Sequence, residues 1–202
     1  MTNHWNRLIY RLWAPVYDST VNRFFLPGRR RALDLLAIKP GDRLLLVGVG
    51  TGADLPLLPG GVVALGIDLS PEMLARAHRK LSTCRAGVQL VIGDAQAPLV
   101  TESSFDAVIL NLILSVVPDG SACLRAALYA LTPGGRIVVF DKFQPDDEKV
   151  SPIRRLMNVF STLLGTDITR RFGVMLQASS CSVIYQEPSL LGGTYRIYIL
   201  QK

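Results

Sequence analysis

Gly48, Gly50 and Gly52 alternate at the end of an apolar run in "LLLVGVGTGADLP". Glycine there lets a backbone turn through positive φ and lets a ligand approach with no Cβ in the way. Two carboxylates close later apolar runs, Asp68 in "VVALGID" and Asp94 in "VQLVIGD". In open α/β sheets, ligands sit outside the carboxyl ends of the strands. Asp68 can accept hydrogen bonds from both hydroxyls of a ribose. Asp94 can accept from the exocyclic amine of an adenine while the Ala95 backbone N–H donates to the ring. The glycines alone leave the ligand open. "GVGTGA" fits the dinucleotide pattern G-x-G-x-x-G/A, with Ala53 as the third small residue, and it fits G-x-G-x-G equally. A Walker-type phosphate loop is excluded, because no Gly-Lys-Ser/Thr occurs.

Other chemistry is sparse. No Ser-His-Asp set, paired carboxylates or metal cluster is readable, and His4 and His78 are the only histidines. His78 reads as a surface residue of the helix after Asp68. Cys84, Cys123 and Cys181 are far apart and odd in number, without a CxxC pair. A zinc site or disulfide framework is therefore not expected, and a reducing compartment fits. Tyr10 and Tyr17 are the candidate catalytic side chains. Their spacing places them on one face of a helix, although Pro15 between them imposes a bend. Core packing of the two rings accounts for them equally well. Asn111, closing "FDAVILN", has the same standing as either a strand-terminal cap or a ligand contact.

The elements that must position these residues alternate regularly. Residues 3–13 and 18–37 read as helices, the second interrupted near "LPGRRR". "RLLLVG", "VVALGID", "VQLVIGD", "FDAVILN" and "RIVVFD" read as strands. Between them lie the helix "SPEMLARAHRKL", with Ser70 as N-cap and Pro71 at its first position, and the helix "DGSACLRAALYAL", closed by a turn at "TPGG". Such alternation implies a parallel sheet covered on both faces. A basic helical stretch at 151–164, a helix near 168–179 and the strands "SVIYQE" and "TYRIYIL" follow.

Five segments in order, "VGVGTG", "GIDLSPEML", "GDA", "FDAVILN" and "LTPGGRIVV", resemble the class I S-adenosylmethionine-dependent methyltransferases over residues 40–202. The resemblance implies an α/β, Rossmann-like sheet of seven strands, mostly parallel with an antiparallel last strand, helices on both faces and an N-terminal helical lid. It implies S-adenosyl-L-methionine as cofactor, leaving as S-adenosyl-L-homocysteine. The residues it places around that cofactor are Gly48, Val49, Gly50, Thr51, Gly52, Asp68, Leu69, Met73, Asp94, Ala95 and Asn111. "YRLWAPVYD" at 10–18 and "GTGADLPLLP" are similar to the bacterial phospholipid N-methyltransferases, which convert phosphatidylethanolamine stepwise to phosphatidylcholine. The quinone-biosynthesis methyltransferases share the aromatic-plus-"YD" opening. "TDITRRF" at 166–172 resembles a segment of the lipid enzymes. One departure stands out. The family carries Asp or Glu two residues before the first glycine of the loop, and here that residue is Leu46. The acid near the methionine portion of the cofactor is absent or supplied from elsewhere.

Composition bounds the rest. The 202 residues are 49% hydrophobic and 19% charged, which suits a folded domain rather than a disordered chain. The longest apolar stretch, "AVILNLILSVV", is roughly half the 18 or more residues a membrane span needs. Basic and aromatic residues interrupt every apolar run near the N-terminus, so a signal peptide is not expected. Arg7, Arg11, Arg23, Arg29, Arg30 and Arg31 face a single Asp18 in the first 31 residues and carry most of the net charge of +6. Interleaved with Trp5, Trp13, Phe24 and Phe25, they have the composition of an interfacial segment. The expectation is a membrane-facing helical lid at 1–38 and a methyltransferase domain at 39–202. Its partner is an anionic membrane surface or amphiphilic substrate, it sits in the cytoplasm or on the inner face of the membrane, and a monomer is favoured. Nucleic acid is not expected, since "NLIL" stands where amino-methylating DNA enzymes carry an "NPPY"-type motif. The alternatives are a quinone precursor or other small molecule as acceptor, or a protein that binds the cofactor without catalysis.

Overall fold

A strand at the centre of a parallel sheet is covered on both faces, so its apolar residues run on without alternation. Strand β1 (Arg43–Val47) shows this, every side chain after Arg43 being buried. The computed structural model describes residues 22–97, 100–144, 158, 166–177 and 179–202. Strands β2 (Val63–Asp68), β3 (Gly87–Ile92), β4 (Phe105–Asn111), β5 (Leu131–Lys142), β6 (Ser182–Pro188) and β7 (Tyr195–Gln201) complete a seven-stranded sheet in the order β3-β2-β1-β4-β5-β7-β6. The first five strands are parallel, and β7 runs antiparallel to both its neighbours, β5 and β6. The expected mostly parallel sheet with an antiparallel last strand is thus found. Chain order reverses beside β1, with β2 on one side and β4 on the other. That reversal opens a crevice at the strands' carboxyl ends.

Side-chain alternation along β1 divides the interior into two layers. Leu44 and Leu46 face the helices α1 (Asn22–Leu36) and α2 (Pro71–Lys80), packing with Ala32, Leu33, Leu36, Leu74 and Ala77. Leu45 and Val47 face the other way, toward Cys123, Leu124 and Leu128 of α3 (Gly120–Ala130) and Phe172 of α4 (Phe172–Gln177). Helices therefore cover both faces, as the alternating pattern requires. Ser70 caps α2 as expected, its Oγ accepting from the Met73 N–H at 3.2 Å, with Pro71 as the first helical residue.

Three local expectations need correction. Helix α1 is not interrupted at "LPGRRR"; it runs through Pro27. The break that proline would impose is overridden by tertiary contact. Gly28 brings the helix so close to β5 that a Cβ there would lie 2.3 Å from Phe140 Cζ. The "TPGG" turn is instead an irregularity within β5. Pairing with β4 jumps from Phe105↔Leu131 to Ala107↔Arg136, and Gly134 between them has a φ of +76°. The helix expected at 168–179 is confined to Phe172–Gln177. The residues before it make an Asx-type turn, Asp167 Oδ1 accepting from the Thr169 N–H at 2.9 Å and from its hydroxyl at 2.7 Å. The helix expected at 3–13 and most of that at 151–164 lie outside the described residues.

Candidate functional site

The glycine loop leaves β1 and turns back immediately. Both the Gly48 and Val49 N–H groups donate to the Ile67 carbonyl at 2.9 Å, which ties the loop to β2. Gly48 has a φ of +69°, and a Cβ on it would sit 2.4 Å from Ile113 Cδ1. Gly52, at +75°, would place a Cβ 2.9 Å from the Ala77 Cα of α2. Conformation and space both demand glycine at these two positions.

The loop forms one wall of an open cleft of roughly 850 Å³, mouth included, within the range of small-molecule sites. Gly48, Val49, Gly50, Thr51, Asp68, Leu69, Met73, Asp94, Ala95 and Asn111 all line it. Gly52 does not. It stands behind the wall, where its missing side chain lets the loop pack on α2. The opposite wall is an apolar segment that sequence reasoning missed, containing Leu112, Ile113, Val116 and Val117. Leu112 takes a φ of +60°, an unfavourable conformation for a side chain of this size, at the point where the chain leaves β4 for this wall. Two anchors hold the segment. Asp141 accepts from the Ser115 N–H at 2.9 Å and from its hydroxyl at 2.7 Å. The Arg170 guanidinium donates to the carbonyls of Leu114, Val117 and Pro118. The motif "TDITRRF" therefore works by clamping the wall.

Asp68 sits where β2 meets α2, one oxygen accepting from the Gly50 N–H at 2.8 Å and the other from the Ser70 N–H at 2.9 Å. Burial pushes its carboxyl above the usual carboxylate range, against the pull of the Ser70, Gly50 and Leu69 N–H groups. Each oxygen has a further lone pair, which matches two ribose hydroxyls. Asp94 Oδ1 accepts from both the backbone and side-chain nitrogens of Gln96 at 3.0 Å. Gln96 Oε1 in turn accepts from the Asp119 N–H at 2.7 Å, so Asp94 is locked to the start of α3. It keeps a place on the cleft wall while also serving as a turn residue.

A buried polar trio completes the cleft, of which sequence reasoning singled out Asn111 but not Arg29 or Asp54. Arg29 Nη1 donates to Asp54 Oδ2 at 2.7 Å, and Asn111 Nδ2 donates to Asp54 Oδ1 at 3.1 Å. The three residues are 7%, 4% and 4% exposed. Arg29 and Asn111 line the cleft and Asp54 lies between them. An isolated Asp in an apolar segment was the only available signal. Leu46, where an acid was expected, is 1% exposed among the apolar side chains of the α1 layer.

The basic N-terminal cluster is also redistributed. Arg29 faces inward, and Arg31 makes a bidentate pair with Glu187 at 2.8 and 3.0 Å. Arg23 and Arg30 are exposed. Phe24 is exposed, whereas Phe25 packs against Phe140 and Tyr195. His78 is exposed in the last turn of α2, as expected. Trp5, Tyr10, Trp13 and Tyr17 lie outside the described residues. Among the described residues, no helix is long and apolar enough to cross a membrane.

Strand order and cleft together define an α/β protein of the class that takes a ligand at its switch point. Comparison with known proteins says which. Residues 45–139 match the model of a methyltransferase domain. A phosphatidylethanolamine N-methyltransferase of Cereibacter sphaeroides is 29% identical over 197 residues, covering 96% of this chain and 95% of that enzyme. A demethylmenaquinone methyltransferase of Thermus thermophilus is 37% identical, over 63% of this chain and 61% of that enzyme. Among solved structures, a chain in the complex of the Haloferax volcanii Trm112 methyltransferase activator with a methyltransferase superposes with a TM-score of 0.74 at 17% identity, covering 95% and 96% of the two chains. A SAM-dependent methyltransferase of Thermotoga maritima superposes at 0.68 and 20% identity, covering 96% and 98%. The chain carries a methyltransferase domain on a Rossmann-like sheet, and S-adenosylmethionine is its cofactor.

Proposed function

We propose that the methyl acceptor is the headgroup amine of phosphatidylethanolamine and of its mono- and dimethyl products. One observation carries this reading. The match to the phosphatidylethanolamine enzyme runs over 95% of that protein, whereas the match to the quinone enzyme covers 61% of it. The outer face of α1, with Arg23, Phe24 and Arg30 exposed, supports approach to a lipid surface, because α1 also supplies Asn22 and Arg29 to the cleft. The enzyme then works from the inner face of the membrane. Tyr10 and Tyr17 remain the candidate catalytic side chains.

The bound cofactor supplies a methyl group on a sulfonium, open to in-line displacement. The chain's contribution is alignment, which can be worth several kcal/mol when the reacting atoms are held in near-attack geometry. The rigid glycine loop on one wall and the clamped Leu112–Val117 segment on the other supply that alignment. The apolar wall also disfavours a charged ammonium, which helps present the acceptor amine in its neutral, nucleophilic form. The higher identity to the quinone enzyme favours a quinone precursor as the second reading. Incubation with radiolabelled S-adenosylmethionine and either total bacterial lipid or a demethylated quinone decides between them. Label in methylated phosphatidylethanolamines is the expected result. Label in the quinone alone would overturn it.

A further inference from the structure

The cleft has two chemically different ends. Asp94 and Asp68 follow β3 and β2, the loop follows β1, and Asn111 closes β4, so strand order sets them in a row. Three inter-strand steps of about 4.8 Å span about 14 Å, the scale of an extended adenosyl amino acid. One end, at Asp68 and Asp94, offers acceptors for a nucleoside. At the other end Arg29 Nε and Asn111 Oδ1 are buried and have no partner among the described residues. Both belong to side chains that line the cleft.

We propose that the Arg29–Asp54–Asn111 trio receives the zwitterionic amino acid end of the cofactor, in place of the acid that is absent at Leu46. The assignment rests on the cofactor and is independent of the methyl acceptor. Its logic is electrostatic. Asp54, as a carboxylate paired to Arg29, only accepts hydrogen bonds, so the Asn111 amide must turn its NH2 toward Asp54. That orientation leaves the Asn111 carbonyl oxygen, on a side chain that lines the cleft, as an acceptor suited to the α-ammonium. Arg29 has Nη1 on Asp54 and still has Nε–H to donate, suited to the α-carboxylate. The trio is neutral overall but polarised, which matches a zwitterion better than a net charge of either sign. Asp54 is therefore a positioning residue, acting through the two side chains that it holds.

Binding of two probes tests this by calorimetry. S-adenosylhomocysteine carries the amino acid end, and 5′-methylthioadenosine has the same nucleoside without it. The wild-type protein is expected to bind S-adenosylhomocysteine at least tenfold more tightly. Asn111→Leu is expected to reduce that affinity at least tenfold and to leave 5′-methylthioadenosine within twofold. Asp54→Asn reduces it as well, because an amide at 54 can donate to Asn111 and turn the wrong group into the cleft. The double variant should bind S-adenosylhomocysteine more weakly than Asn111→Leu, since Asp54 also positions Arg29, but by less than the product of the two single losses, since part of its effect runs through the Asn111 amide. Equal affinity of the wild type for both probes would overturn the proposal without any variant. So would S-adenosylhomocysteine affinity within twofold of wild type in both single variants, or parallel loss of both probes in every variant that remains folded. Failure of the wild type to bind either probe would instead refute the cofactor assignment itself.

Discussion

The glycine loop and helix α1 both face the cleft, yet they are built by opposite means. The loop is made of backbone, with N–H groups of Gly48, Val49 and Gly50 tied to Ile67 and Asp68 of the next strand. Helix α1 reaches the cleft through side chains, Asn22 and Arg29, the latter joined to Asp54 and through it to Asn111 at the end of β4. A backbone cradle depends on φ and on small residues, and so it leaves a pattern in the sequence. A side-chain relay between distant elements depends on packing, and it leaves none. The two should therefore fail differently when altered.

The largest expected effect is on the relay. Arg29→Met leaves the Asp54 carboxylate buried and without its cation, an arrangement that costs about 3–5 kcal/mol. Thermal or urea unfolding should show that loss. Arg30→Met, one residue along the helix and exposed, should leave the unfolding midpoint unmoved. Equal stability of the two variants would mean that α1 does not depend on the buried pair.

The cradle should show its effect in binding rather than folding. Asp68→Ala is expected to remove the proposed charge-assisted hydrogen bonds to the ribose, each about 1.5–3 kcal/mol. Calorimetry with S-adenosylhomocysteine checks this, and unchanged affinity would remove Asp68 from the site. The same carboxyl gives a pH dependence. Ribose hydroxyls donate to the ionised form, so ligand binding lowers a pKa that burial has raised in the free protein. Affinity is then full above that raised pKa and falls as pH drops through it, starting at a higher pH than an ordinary carboxyl would give. Stability of the free protein has the opposite slope. The native state holds this proton longer than the unfolded chain does, so the Asp68 contribution declines as pH rises through the folded pKa. Asp68→Asn should abolish the acid limb of the binding profile.

Asp94 tests the cradle more gently. Asp94→Ala should weaken S-adenosylhomocysteine binding by about 1–3 kcal/mol, and Asp94→Asn by less, because an amide oxygen still accepts from an adenine amine. Asp94 also holds Gln96, which reaches the Asp119 N–H at the head of α3. If both variants lose stability but not affinity, the residue is a turn anchor.

What the sequence disclosed follows the same division. The seven strands, their mostly parallel order, the N-cap at Ser70 and ten residues that line the cleft were readable from apolar periodicity, cap chemistry and the resemblance. Gly52 lies outside the cleft lining, since a glycine required for packing on Ala77 looks the same in sequence as one that faces a ligand. The unbroken α1 was hidden because propensity at Pro27–Gly28 is local, whereas the contact with Phe140 comes from β5. The inward turn of Arg29 was hidden for the same reason. In "GRRR" three identical residues face the interior, the solvent and Glu187, and only the helix phase against the sheet separates them.

That separation sharpens the smallest expected effect, the attraction of α1 to a membrane. A run of three arginines invites their joint replacement, but removing Arg29 would disturb the cleft and Arg31 is already paired with Glu187. The informative variant is Arg23→Ala/Arg30→Ala, which removes exposed charge beside the exposed ring of Phe24. Each basic residue near an anionic surface contributes about 1 kcal/mol, and the attraction fades within a Debye length of about 10 Å at 0.1 M salt. The wild-type protein should sediment with phosphatidylglycerol vesicles at low salt, bind neutral vesicles weakly and be released at high salt. The double variant should bind the anionic vesicles roughly tenfold or more weakly while its S-adenosylhomocysteine affinity stays within twofold. If the wild type remains in the supernatant with anionic vesicles at low salt, α1 is not a membrane-facing element. The quinone precursor then becomes the better acceptor, and the exposed arginines are an ordinary solvated helix face.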